Sequence, residues 1–283
     1  MSIDDPVLIT CAISGAVADR DQCPAIPYTP GPAAEARRAV DAGACMIHIH
    51  ARTPDGRPSL GVEDFRAITE AITAAVDVVI NYSTGAIGVP VEHRIAYLRA
   101  LRPDVAALNM GSMNYAKYSR SRREFVFAVV FTNPFDEIVA LLEAMNELGI
   151  KPEHECFDLG HVGSLEPLMH KGVLRPPLHV SCVMGVLGGA PPTARNLAAM
   201  VDNIPAGGHW GLIGIGRGQW GLVASALGLG GSVRVGLEDN FYLPGGEMAR
   251  SNGELVERAA RMTEDAGRRV ATVAEARALL KAA

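Results

Sequence analysis

The chain has 283 residues, 48% of them apolar, and its 26 basic and 31 acidic side chains are dispersed for a formal charge of −5. This composition supplies a sizeable core and excludes a nucleic-acid or membrane-surface role driven by net charge, though a local Arg or Lys cluster can still hold an anionic small ligand. No apolar run reaches the length of about 20 residues that spans a bilayer, and "MSIDDPVLIT" lacks the basic-then-apolar order of a secretory leader, so a soluble cytoplasmic protein is expected. The five cysteines (Cys11, Cys23, Cys45, Cys156, Cys182) form no CxxC pair and read as buried free thiols in a reducing compartment.

The first strand, "VLITCAIS" (7–14), precedes a helix from Pro32 to Ala42. The second, "CMIHIHA" (45–51), precedes one from Val62 to Val76, and the third, "VVINYS" (78–83), one from Pro90 to Leu101. After the fourth, "VAALNMG" (105–111), residues 116–134 are irregular, with "FVFAVV" as a short extra strand, and a helix runs from Pro134 to Leu148. Then come "ECFDLGH" (155–161) with a helix from Ser164 to Lys171, and "LHVSCVM" (178–184) with one from Thr193 to Ile204. "WGLIGIG" (210–216) and "SVRVGLED" (232–239) complete the strands, and two helices close the chain, the first capped by Ser251 or Asn252. Eight strands with helical crossovers and no long linker predict a (β/α)8 TIM barrel, a single domain over residues 1–283. A doubly wound open sheet is the alternative.

In such a barrel, chemistry gathers at the C-terminal ends of the strands. The strand starts read as apolar, whereas polar residues and glycines collect at the ends. A strand period of two puts His48 and His50 on one face and Ile47 and Ile49 on the other. Strand three ends with Asn81, Ser83 and Thr84, strand four with Asn109, and strand five carries Glu155. On strand eight, Arg234, Gly236 and Glu238 alternate onto one face, which brings Glu238 to the same mouth as the histidines. Two imidazoles and a carboxylate with a fourth position open form a catalytic Zn²⁺ ligand set, and they also suit Fe²⁺ or another divalent metal.

Alone, Glu238 reads as an ion-pair partner of Arg234 and the histidines as core residues; together at one mouth they favour a metal. Asp239 should point away from Glu238 toward the next loop, as a base, a partner of Arg234 or a cap. His161 is an outside ligand candidate and otherwise a loop histidine. The glycine clusters "GVLGGAPP" (185–192) and "GIGRGQW" (214–220), with Arg217, suit close approach to a phosphate-bearing ligand. The second lacks the GxGxxG spacing of a dinucleotide fingerprint.

The set "ITCAISGA" (9–16), "HIHARTPDGRPS" (48–59), "NYSTG" (81–85), "FDLGH" (157–161), "GVLGGAPP", "GIGRGQ" and "VRVGLEDN" (233–240) resembles the β-keto acid cleavage enzymes over nearly the whole chain. The resemblance implies a zinc-dependent barrel, a homotetramer, that converts a β-keto acid and acetyl-CoA into acetoacetate and a new acyl-CoA by a retro-Claisen route. It implies His48, His50 and Glu238 as zinc ligands, Asp239 as general base oriented by Arg234, and Ser83 as hydrogen-bond donor. Glu155 is implied as a substrate contact, with Thr84 and Asn109 placed beside it, and Gly188, Gly189 and Arg217 are where the CoA phosphates are expected. One departure concerns the substrate. The family's lysine-fermentation member reads "GAE" after strand one, and that glutamate holds an ammonium group. Here Val17 stands at that place, so a neutral or apolar tail is expected. Two other readings are a CoA-independent metal-dependent aldolase or lyase, and a non-catalytic binder of a small acid. The lyase would tolerate loss of Arg217, and a binder has no need of Arg234 or Asp239.

Overall fold

A computed structural model describes residues 2–28 and 31–281. Along the chain, β1 (Ile9–Ala12), β2 (Met46–Ile49), β3 (Val79–Ser83) and β4 (Val105–Asn109) lead into β5 (Met113–Ser119) and β6 (Glu124–Phe131). They are followed by β7 (Lys151–Cys156), β8 (His179–Met184), β9 (His209–Gly214) and β10 (Ser232–Val235). All but β5 and β6 join in one closed barrel, in the order β1-β2-β3-β4-β7-β8-β9-β10. Every pairing is parallel, and β10 returns to β1 through Ile9–Val233, Thr10–Arg234 and Cys11–Val235. The fold is the expected (β/α)8 barrel.

Strands covered by helices on one face and packed into the barrel on the other bury both, which is why they read as continuous Val, Ile and Leu runs. The helices are α1 (Pro32–Asp41), α2 (Val62–Ala75), α3 (Val91–Leu101), α4 (Phe135–Leu148), α5 (Leu159–Gly163) and α6 (Leu165–His170). α7 (Ala194–Asp202), α8 (Gln219–Gly228), α9 (Asn252–Asp265) and α10 (Val273–Leu280) complete the set. On α2, Phe65, Ile68 and Ile72 recur at helical spacing and are buried, and Phe65 stacks on Tyr97 of α3 with ring centroids 4.6 Å apart. Thr193 caps α7 and Ser251 caps α9, each accepting from the backbone N–H three residues on. Asn252 has another duty: its Oδ1 accepts from Leu237 N at 2.9 Å and its Nδ2 donates to Ile13 O at 3.1 Å, tying the ends of β10 and β1 together. All five cysteines are buried free thiols, as expected. Among the described residues no helix is long and apolar enough to cross a membrane.

The structure departs from the sequence reading at several elements. Residues 113–131 form a two-stranded antiparallel hairpin, not one extra strand in an irregular loop. β7 starts at Lys151, and residues 157–161 have left the strand, with Asp158 accepting from His161 N at 2.9 Å to start α5. The last strand stops at Val235, and a turn follows, in which the N–H groups of Asp239 and Asn240 both donate to Gly236 O.

Finally, the barrel floor is polar. Glu153, buried inside, accepts from Asn81 Nδ2 and Ser181 Oγ. Beside it, His179 Nδ1 lies 3.0 Å from His209 Nδ1, and His209 Nε2 lies 3.0 Å from Ser232 Oγ. His154 Nδ1 meets His179 O at 2.8 Å. Burial holds His154 down at about 4, His179 at about 3 and His209 well below the usual range, so all three are neutral at pH 7.

Candidate active site

His48 lies on β2 and His50 directly follows its last residue; both imidazoles face the cavity, their ring centroids 5.3 Å apart. Glu238 arrives from the turn after β10, its Oε1 3.7 Å from His48 Nε2 and 3.3 Å from His50 Nε2. The ligand atoms of the three lie within 4.8 Å of one another, the one such His/Cys/Asp/Glu group among the described residues. His161 is not part of it; its Nδ1 accepts from Phe157 N.

Two observations show that this group fits a divalent cation. Glu238 Oε2 is buried with no hydrogen-bond donor, a costly state for a carboxylate oxygen that a cation relieves. His48 is held neutral, burial and then the Arg234 charge pulling it down to about 3, so its lone pair stays free at neutral pH. Burial would lift Glu238, but Arg234 and the two histidines outweigh it and keep the carboxylate ionised.

Arg234, on β10, organises the rest. Its Nε and Nη2 grip Asp239 Oδ2 and Oδ1 at 2.9 and 2.8 Å, a bidentate fork. Nη2 also reaches Glu238 Oε1 at 2.6 Å, and Nη1 reaches Glu155 Oε1 at 3.2 Å. Asp239 therefore does not point away from Glu238, as strand alternation predicts. Because the strand ends at Val235, a turn and not a pleat sets directions, and both carboxylates face one guanidinium. Gly236 makes that turn possible at φ +140°, where an added Cβ would sit 2.2 Å from Ala12 O. Gly15, at φ +61°, leaves the room that Glu238 occupies; a Cβ there would lie 2.6 Å from Glu238 Cγ. Burial and the Glu238 charge raise Asp239 to about 6 against the pull of Arg234. Burial raises Glu155 to about 8, also against Arg234.

These residues sit at the base of a cavity of about 1190 Å³ that opens at the C-terminal mouth. Ser83, Asn109, Glu155 and Val17 line it, and Arg217 stands at its rim with the guanidinium 4.0 Å above the Tyr242 ring. Thr84 does not reach the cavity: its buried hydroxyl donates to Ala107 O. Gly188 and Gly189 do not line it either. A Cβ on Gly188 would fall 1.7 Å from Asn114 O, and one on Gly189 would fall 2.7 Å from Phe157 O. Their close approach is to the protein's own backbone: Gly188 meets the hairpin at Asn114 and Gly189 meets Phe157 after β7.

Two features escaped the sequence reading. Arg52, buried, donates to the carbonyls of Gly15 (2.8 Å), Gly56 (2.6 Å), Ser14 (3.3 Å) and Ala18 (2.5 Å). It clamps the loop after β1 to the loop after β2. The "PDG" turn that bends the chain back beneath Arg52 is the signal for it. The hairpin β5–β6 supplies Tyr115, Lys117, Tyr118, Arg120, Phe127 and Phe131 to the cavity wall; "FVFAVV" signals its second strand, but nothing in the sequence signals that it walls the cavity.

A model described as beta-keto acid cleavage enzyme matches residues 6–281. The chain is 38% identical over 279 residues to the 3-keto-5-aminohexanoate cleavage enzyme of Acetoanaerobium sticklandii, covering 98% of each chain. It is 34% identical over 303 residues to the 3,5-dioxohexanoate:acetyl-CoA acetone transferase of Paraburkholderia graminis, covering 99% of this chain and 97% of that one. Among solved structures, apo ObcA superposes with a TM-score of 0.78 at 21% identity, over 92% of this chain and 66% of ObcA, a likeness of fold.

Proposed function

Because the chain belongs to the β-keto acid cleavage enzyme family, we propose that it converts a β-keto acid and acetyl-CoA into acetoacetate and a new acyl-CoA, with zinc held by His48, His50 and Glu238. The observation that carries this reading is the fork of Arg234 on Asp239 beside that ligand group. Bound there, a divalent ion supplies Lewis acidity and a template for the keto and carboxylate oxygens. Asp239 is the base. It takes a proton from the carbon between the keto and carboxylate groups, and its raised value places it near the working pH of a general base. That carbon takes the acetyl group from acetyl-CoA, the freed thiol adds to the keto carbon, and the bond between the two carbons breaks. Acetoacetate then recovers the proton from Asp239. Ser83 and Asn109 line the cavity within reach of the substrate's carboxylate or a developing oxyanion, and Glu155 positions Arg234.

Val17 lies on the cavity wall with no charge to offer, which supports a neutral or apolar tail on the keto acid. Assembly as a homotetramer is part of the same reading, supported by the apolar side chains that β6 exposes, Phe125 at 59% and Val130 at 60%. The buried thiols support a reducing, cytoplasmic setting.

The test is to incubate metal-replete protein with acetyl-CoA and β-keto acids of neutral, cationic and anionic tail, and to follow acetoacetate by mass spectrometry. Acetoacetate is expected with the neutral tails. Its absence with every acid, despite bound metal, moves the reading to the CoA-independent lyase; its appearance only with a cationic tail refutes the role given to Val17.

A further inference from the structure

The cavity is built in two tiers of opposite charge. Its acidic residues are Glu155, Glu238 and Asp239, all gathered at the base around Arg234. Its remaining cations are Lys117 and Arg120 on the hairpin and Arg217 after β9, with no carboxylate among them. In a chain of net charge −5 this is a local concentration of three positive charges. None of the three forms an ion pair among the described residues, whereas Arg122, in the same hairpin turn but off the cavity wall, is paired with Glu124 at 3.1 Å.

The hairpin is tied to the loop after β8. Ala116 N donates to Leu187 O at 3.3 Å, and the absent side chain of Gly188 lets the Asn114 carbonyl seat against the loop after β8. A bulge between Lys117 and Tyr118 breaks the alternation there, so that Lys117 and Tyr118 both line the cavity although they are neighbours in the chain. The volume agrees with a second occupant. About 1190 Å³ exceeds what even a drug-sized ligand fills, and a small keto acid at the base leaves most of it open.

We propose that Lys117, Arg120 and Arg217 form a phosphate-binding rim that holds the nucleotide end of acetyl-CoA, with the hairpin β5–β6 as its fixed arm. This inference rests on the acetyl-CoA reading above and adds the residues that recognise the co-substrate. Unpaired cations at a cavity mouth, facing a dianionic pyrophosphate and a phosphomonoester, make charge-assisted contacts that an uncharged thioester cannot make.

The experiment compares acetyl-CoA with S-acetylpantetheine, which keeps the thioester and lacks every phosphate, in the wild type and in Lys117→Ala, Arg120→Ala and Arg217→Ala. Each substitution is expected to raise KM for acetyl-CoA by about tenfold and to leave KM for S-acetylpantetheine and for the keto acid within about twofold. Calorimetric binding of adenosine 3′,5′-bisphosphate gives a readout free of turnover: it should weaken with each substitution and with added salt in the wild type. Turnover with acetyl-CoA that is equally lost with S-acetylpantetheine, or bisphosphate binding that is indifferent to all three substitutions, overturns the rim. A wild type that binds the bisphosphate through these residues yet makes no acetoacetate upholds the rim and refutes the proposed reaction instead.

Discussion

One guanidinium at Arg234 serves three carboxylates with different duties, and the duties can be separated by substitution. Asp239→Asn keeps the shape and the turn but cannot accept a proton, so kcat should fall by about a thousandfold while bound metal stays at one equivalent. Single-turnover kinetics beside elemental analysis checks both halves, and near-normal kcat excludes Asp239 as the base. His48→Ala should lose stoichiometric metal and activity together; one equivalent retained refutes the ligand assignment. That His48 and His50 share one space was legible in the sequence because a period of two is enough to aim both there. The direction of Asp239 was not, since it depends on where β10 stops, and that is set by the φ of Gly236 and by Ala12 on the neighbouring strand β1 rather than by local propensity.

Among the elements, the loops after β1 and β2 are held together by one buried guanidinium. Arg52 satisfies four backbone carbonyls, so Arg52→Met leaves them buried without donors and should cost roughly 3 kcal/mol. Urea unfolding with unchanged slope measures this, and a shift below about 0.5 kcal/mol would show that the clamp does not hold the loops. Strands and amphipathic helices were legible by periodicity. The start of β7 was not, because "KPEH" has no apolar strand pattern, and Glu153 and His154 are buried only where Asn81, Ser181 and His179 meet them from other strands. α8, "QWGLVASALG", lacks the polar stripe by which a helix is recognised. The hairpin was half legible: "FVFAVV" announces a strand, but its partner Met113–Ser119 is mixed in character, with Tyr115 and Tyr118 meeting Phe127, Phe131 and Phe125 only once the strands pair.

For the whole molecule, the neutral histidines of the barrel floor link stability to pH. His154, His179 and His209 have folded values pushed below 6.5, so below that pH the unfolded chain binds more protons than the folded one. Their contribution is complete above about pH 6.5 and is lost as pH falls, each adding a slope of at most about 1.4 kcal/mol per pH unit until its folded value is reached. Urea midpoints measured from pH 7.5 to 5.0 should drop accordingly, and His209→Gln should flatten the curve; an unchanged slope in that variant would remove His209 from the account. The closed barrel itself was readable from eight strand–helix units, yet the turn that follows its closing strand depends on one residue. Gly236 stands where the last strand meets the first and begins the turn that presents Glu238 and Asp239. Most enzymes let drift alter scaffold and chemistry at separate addresses. Here the two share a codon: a library randomised at position 236 should return glycine alone among soluble clones, and new substrates will be found by change elsewhere around the mouth.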